Sequence, residues 1–140
     1  MTRFLVDTNV ISEHRKGNKA NAGLKQFWRE VDPETVYLSV HTIGEIRAGI
    51  VNISKRGDCY QAGVVDQWLS HILRDYAQRI FPFDLDCAQL WGQLMAKHKQ
   101  HPVDKQIAAI ALVYGMDLVT RNVADCAGTG VTVINPFVSD

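Results

Sequence analysis

Short β-branched runs alternate with longer stretches of helical period along this chain. Residues 4–6 (Phe-Leu-Val) and 36–40 (Val-Tyr-Leu-Ser-Val) read as buried strands, and 80–83, 118–120 and 131–134 carry the same signature. Between them, Val65, Trp68, Leu69, Ile72, Leu73 and Tyr76 recur at helical spacing within 59–79 and form one apolar stripe. Leu90, Trp91, Leu94 and Met95 repeat the pattern after Asp86. A further helix is predicted from Pro102, which suits a first turn, to Gly115, which suits a carboxyl-terminal cap. Residues 19–31 and 42–54 also read as helical. Strands separated by helices, with no hairpin signal, predict an α/β fold with a mainly parallel sheet. No linker, repeat or low-complexity segment divides the chain, so a single domain over 1–140 is expected. Ligands of such sheets bind beyond the carboxyl ends of the strands, which directs attention to the residues there.

Four acids draw attention, at least three of them just past a strand or at the start of a helix. Asp7 follows the first strand in Asp7-Thr8-Asn9, Glu45 follows the second, Asp104 opens the helix after Pro102, and Asp125 follows the fourth strand, with Asn122 before it. Each has a local explanation. Asp7 or Thr8 suits a helix cap, and Thr42-x-x-Glu45 has the spacing of a capping box. Asp104 suits the positive end of a helix dipole, and Asn122 suits a cap for a short turn that leaves Asp125 solvated.

Taken together the acids say more. If the strand ends share one sheet edge, the carboxylates converge, repel one another and call for a cation. Oxygen-only donors favour a hard ion, Mg²⁺ or Mn²⁺, over zinc. Such an ion keeps most of its waters, grips a phosphate oxygen and supplies a hydroxide nucleophile, which points to phosphodiester hydrolysis.

Composition narrows the field. The chain has 140 residues, 46% of them hydrophobic, enough for a packed core and too apolar for disorder. Fifteen basic residues balance fifteen acidic ones, so bulk charge announces no nucleic-acid partner. Small basic clusters such as Arg15-Lys16-Lys19 read first as solvated faces. Cys59, Cys87 and Cys126 form no Cys-x-x-Cys pair, which disfavours disulfides and structural zinc and fits a reducing cytoplasm. His98 and His101 read as a solvated helix end rather than a metal pair. Neither a membrane span nor a signal peptide is expected. The chain also lacks a phosphate-binding glycine loop, a nucleophile elbow and a dinucleotide fingerprint.

The stretches FLVDTNVISE (4–13), LSVHTIGEIRAG (38–49), DKQIAAIALVYGMDLVTRNVADC (104–126) and GVTVINPF (130–137) resemble, in order, those of the PIN-domain ribonucleases, and among them the VapC/FitB-type toxins of bacterial toxin–antitoxin pairs. The resemblance implies a three-layer PIN-like fold, a five-stranded mainly parallel sheet flanked by helices, with the acids at its carboxyl edge. It implies Asp7 and Asp104 as principal ligands of Mg²⁺ or Mn²⁺ and Glu45 as the third acid. Asp125 matches the fourth acid of part of the family, whereas other members place it where this chain has Asn122. Thr8 and Thr120 match supporting polar positions, and Cys126 replaces a common Phe.

By the same resemblance the substrate is RNA, with tRNA the favoured class. Arg15, Arg47, Lys105 and Arg121 are candidates to hold its backbone. A homodimer and a VapB-like antitoxin are implied as well, the latter placing a basic side chain among the acids; Trp28 and Trp68 read first as core residues and second as contacts for it. Two other readings stay open: a PIN-like binding module with a weakly held metal, and a phosphotransfer fold with a strand-end Asp. The haloacid-dehalogenase motif, however, needs a second Asp where this chain has Asn9, and a receiver wants a pair of acids near the first strand.

Overall fold

A computed structural model describes residues 1–139. Five strands, β1 (Phe4–Val6), β2 (Val36–Ser39), β3 (Ile80–Phe81), β4 (Asp117–Val119) and β5 (Val133–Ile134), form one sheet in the order β3-β2-β1-β4-β5. Every pairing is parallel, with Leu5 opposite Tyr37 on one side and Leu118 on the other. Six helices connect them: α1 (Thr8–His14), α2 (Ala22–Glu30), α3 (Val40–Lys55), α4 (Cys59–Asp75), α5 (Leu85–Lys97) and α6 (Pro102–Tyr114).

The two-residue alternation of a strand sorts the core into layers. Val6, Val36, Leu38 and Val119 face one side, where they pack with Val10, Ile11, Leu24 and Ile72 of α1, α2 and α4. Leu5 and Leu118 face the other, against Cys87 of α5 and Ile107, Ile110 and Ala111 of α6. Leu5, Leu38 and Ile110 are fully buried, each side chain of this kind contributing roughly 1.5–3 kcal/mol of burial. A third cluster, Ile46, Ile50, Ala62, Val65 and Leu69, joins α3 to α4 as a helical hairpin. No helix among the described residues is long and apolar enough to cross a membrane.

Most expected elements are present, and the differences have local causes. The 59–79 helix stops at Asp75, so Tyr76 caps it, and Leu73 points to solvent. Residues 17–19 form a separate 3-10 turn, and α2 begins only after Asn21, whose side chain accepts from the Gly23 and Leu24 amides. Asn21 also pairs with Val138 through both its side-chain oxygen and nitrogen, which draws the carboxyl-terminal segment across the start of α2. A side chain at Gly23 would run into the Pro136 carbonyl and Val138, so only glycine permits this approach. Val40 is the first residue of α3 rather than the last of a strand.

Strand order sets the position of the site. The chain moves outward from β1 to β2 and β3, then returns to place β4 on the opposite side of β1. The crevice beyond the carboxyl ends of β1 and β4 is therefore a topological switch point. Asp7 and Thr120 are the first residues past those two strands.

Candidate metal centre at the carboxyl edge of the sheet

Asp7 is the amino-terminal cap of α1, and it is only 6% exposed. Its Oδ1 accepts the Thr8 amide at 2.8 Å and its Oδ2 accepts the Thr120 hydroxyl at 2.8 Å. Its own amide donates to the Val119 carbonyl at 2.9 Å, an extension of the β1–β4 ladder by one residue. The cap explanation for Asp7 is thus correct, and the same carboxylate also faces the crevice.

Asp104 enters from the first turn of α6, as the Pro102 and Gly115 signals require. Glu45 enters from the second turn of α3. Its capping-box explanation is overturned, because α3 begins at Val40 and Thr42 lies inside the helix, fully buried. Thr42 instead stands 3.0 Å from the Thr8 hydroxyl, which is also 3.0 Å from Glu45 Oε1. The chain of hydroxyls orients the carboxylate rather than closing a helix end.

Asp7, Thr8, Asn9, Glu45, Asp104 and Asn122 line one cleft of about 510 Å³, together with Val103 and Ile107. Burial pushes the Glu45 carboxyl above its usual range, with the charges of Asp7 and Asp104 adding to the effect and the Thr8 hydroxyl opposing it. Burial likewise raises Asp104, as do the charges of Asp7 and Asp125, while a hydrogen bond from Asn122 works in the opposite direction.

The two readings of the fourth position separate in space. Asn122 lies in the cleft with the three acids, its backbone amide donating to the Thr120 hydroxyl at 3.0 Å. Asp125 lies on the 3-10 turn Ala124–Cys126 and lines an adjoining pocket of about 200 Å³ with His98, His101 and Lys105. His101 Nε2 is 3.4 Å from Asp125 Oδ1. The two histidines share no helix face: His98 caps the end of α5, and His101 is the left-handed cap before α6.

Asn9 is a positioning residue that sequence reasoning weighed only against rival chemistries. Its side chain donates to the Thr120 hydroxyl at 3.1 Å and accepts the Arg121 amide at 3.1 Å, which ties α1 to the segment after β4. The available signal was its place in the polar triplet beside Asp7.

The basic candidates divide as well. Lys105 is only 3% exposed and its ammonium donates to the Gln100 carbonyl, so it is not a surface phosphate contact. Arg47 pairs with Asp66 at 3.1 Å, and Arg15 lies over the Trp68 ring. Arg121 stacks on Phe137 and lines a polar pocket with Lys16 and Lys19. Trp28 and Trp68 both pack against the core as half-buried rings.

A second cavity, about 410 Å³, opens at the amino-terminal edge of the sheet between Phe4, Phe27, Val31 and Ile134. Its acids, Glu30 and Asp32, are exposed, and Asp32 caps a turn. Of the two cavities, the one at the carboxyl edge therefore gathers the buried and half-buried acids.

Relatives place this architecture. The PIN domain family model matches residues 4–124. Plasmid stability protein StbB of Pseudomonas syringae pv. tomato is 35% identical, over 96% of this chain and 98% of that protein. VapC ribonuclease Y4jK of Sinorhizobium fredii is 33% identical over 96% and 97%. Toxin FitB of Neisseria gonorrhoeae is 31% identical over 96% and 98%. A chain in the crystal structure of FitAcB from Neisseria gonorrhoeae superimposes with a TM-score of 0.83 at 30% identity, over 95% of this chain and 97% of that one. With the sheet order, the strand-end acids and these matches in agreement, the chain belongs to the PIN-domain family, among its VapC- and FitB-type members.

Proposed function

We propose that this protein is a metal-dependent endoribonuclease toxin acting as a single PIN domain, which hydrolyses RNA phosphodiester bonds and is neutralised by a VapB-like antitoxin. The observation that carries this reading is the convergence on one cleft of Asp7 from the cap of α1, Glu45 from α3 and Asp104 from α6. Their donor atoms are all carboxylate oxygens, two of the three acids are raised by burial and mutual repulsion, and this is the environment a hard divalent cation relieves.

Asp7 and Asp104 are the proposed principal holders of Mg²⁺ or Mn²⁺, with Glu45 as third acid and Asp125 or Asn122 completing the set. Bound there, the ion would polarise a phosphate oxygen and ease deprotonation of water. The chain's own contribution is orientation. Thr120 and the Thr8 amide hold the Asp7 carboxylate from both oxygens, and the Thr8 hydroxyl holds Glu45. Exposed Arg121, beside Asn9 and next to the cleft, supports binding of a polyanion, for which tRNA is the favoured class.

A groove next to Glu45 supports the antitoxin reading. Ile46, Ile53, Val65 and Trp68 give it an apolar floor, and Thr8, Ser12 and Arg15 border it. An amphipathic segment laid there reaches the acids within a few residues and can extend a basic side chain to them. The named relatives VapC ribonuclease Y4jK and Toxin FitB support both halves of the proposal, and a homodimer is part of it.

The test is direct. Free protein with Mg²⁺ or Mn²⁺ is expected to cut a total RNA pool, and Asp7→Asn and Asp104→Asn to abolish cutting while the circular dichroism spectrum is retained. Clean protein that leaves the pool intact with either ion, and whose expression does not arrest growth, sinks the proposal. Sequencing RNA ends after brief induction would identify the substrate.

A further inference from the structure

The carboxylates divide around Asp104. On one side are Asp7, Glu45 and Asn122, whose available donors are oxygens. On the other, His101, Asp104 and Asp125 each offer one ligand atom, and the three atoms lie within 4.8 Å of one another. Donors on one ion stand about 3–4 Å apart, so this second set needs only small side-chain movements to close on a cation. His101 is fixed at the start of α6, where its carbonyl accepts the Lys105 amide at 3.0 Å, and it sits one helical turn from Asp104. Lys105, which lines the same pocket, is engaged by the Gln100 carbonyl.

We infer that His101, Asp104 and Asp125 form a mixed nitrogen–oxygen cation site beside the all-oxygen one, sharing Asp104, and that it prefers a transition ion such as Mn²⁺ to Mg²⁺. Imidazole nitrogen suits first-row transition ions such as Fe²⁺, Ni²⁺ and Zn²⁺, whereas Mg²⁺ takes oxygen ligands; Mn²⁺, the weakest binder of that series, accepts both, so an added nitrogen favours it over Mg²⁺. The inference assigns separate places to Asp125 and Asn122, which sequence left as alternatives for one position. It also gives His101 a role that its solvated surroundings alone did not predict. It rests on the metal-centre reading above, and the experiment distinguishes the two.

The full chain, stripped with chelator, is titrated with manganese chloride and followed by electron paramagnetic resonance, with pulsed measurements for coupling of the bound ion to ¹⁴N. Imidazole nitrogen coupling is expected in the parent and in His98→Gln, and is expected to vanish in His101→Gln, which still binds Mn²⁺ through the remaining acids. Mn²⁺ affinity in His101→Gln is expected to fall about tenfold, while Mg²⁺ affinity, measured by competition, changes less than about twofold. Bound Mn²⁺ without nitrogen coupling in the parent overturns this inference, reduces the His101–Asp125 contact to a surface ion pair, and leaves the metal-centre reading standing. Coupling that persists in His101→Gln overturns it too. A parent that binds no Mn²⁺ overturns both.

Discussion

Thr120 donates its hydroxyl to Asp7 Oδ2 at 2.8 Å across 113 residues of sequence, and Thr120 Oγ1 itself accepts from Asn9 Nδ2 and from the Asn122 backbone amide. One buried hydroxyl thus joins β1, α1 and the segment after β4 at the switch point of the sheet. Thr120→Val keeps the shape and removes all three bonds. It is expected to cost about 1–3 kcal/mol in urea denaturation, because a buried carboxylate loses a donor and two donors lose their acceptor. Metal affinity by calorimetry is expected to drop about tenfold, since the ligand loses its orienting partner. Thr120→Ser should recover most of both.

Asp104→Asn separates stability from binding. The carboxylate is raised by burial and by its acidic neighbours, so the metal-free fold carries a repulsion that an amide does not. The variant is expected to be at least as stable as the parent in chelator, instead of losing the roughly 1 kcal/mol usual for a substitution. The parent, at an ion concentration one hundred times its dissociation constant, should gain about 2.7 kcal/mol. The variant should gain little. Parallel thermal melts with and without Mn²⁺ read both effects.

The residues that were legible in sequence owe their positions to local rules. Asp7 follows a strand and caps a helix, and Asp104 follows a proline at a helix start, so periodicity and capping alone brought them to the sheet edge. The α/β class and the parallel order followed in the same way from strands separated by helices. What sequence misread depends on packing between distant segments. Thr42 and Glu45 match the capping-box spacing, but Thr42 is held inside α3 against Thr8, across 34 residues. Lys105 looks like a surface cation until the loop before α6 supplies the Gln100 carbonyl and covers it. Asn122 and Asp125 are parted by the 3-10 turn Ala124–Cys126; a short turn was legible at Asn122, but which of the two residues would enter the cleft was not, because that depends on how the turn packs against α6.

The raised Glu45 and Asp104 carboxyls make stability fall as pH rises. Below their ordinary values of 4.5 and 3.8, both groups are protonated in folded and unfolded chains alike and contribute nothing. Above those values the unfolded chain releases its protons first. The folded state, still holding them, loses stability until pH passes its raised values, after which the loss is complete. Metal-free urea melts from about pH 4 to about pH 7 should show this decline, and Glu45→Gln with Asp104→Asn should flatten it. Ion binding displaces the same protons, so affinity should rise across that window. A parent and double variant with parallel profiles would remove the repulsion argument.

Arg121 and Lys105 provide the last contrast. Both were candidates for the RNA backbone, but Arg121 is exposed on the Phe137 ring beside the cleft, and Lys105 is buried under the loop before α6. Each phosphate contact to a single strand adds about 0.7 to the slope of log affinity against log salt. In an Asp7→Asn background that binds without cutting, Arg121→Gln is expected to lower that slope by about 0.7 and weaken binding across unrelated sequences. Lys105→Met should leave the slope unchanged, because its ammonium reaches a carbonyl and not the solvent. Fluorescence titrations of a labelled RNA at several salt concentrations check the pair. Equal slopes for Arg121→Gln and the parent would remove Arg121 from the binding face, and a lowered slope for Lys105→Met would show that the loop over it opens to RNA.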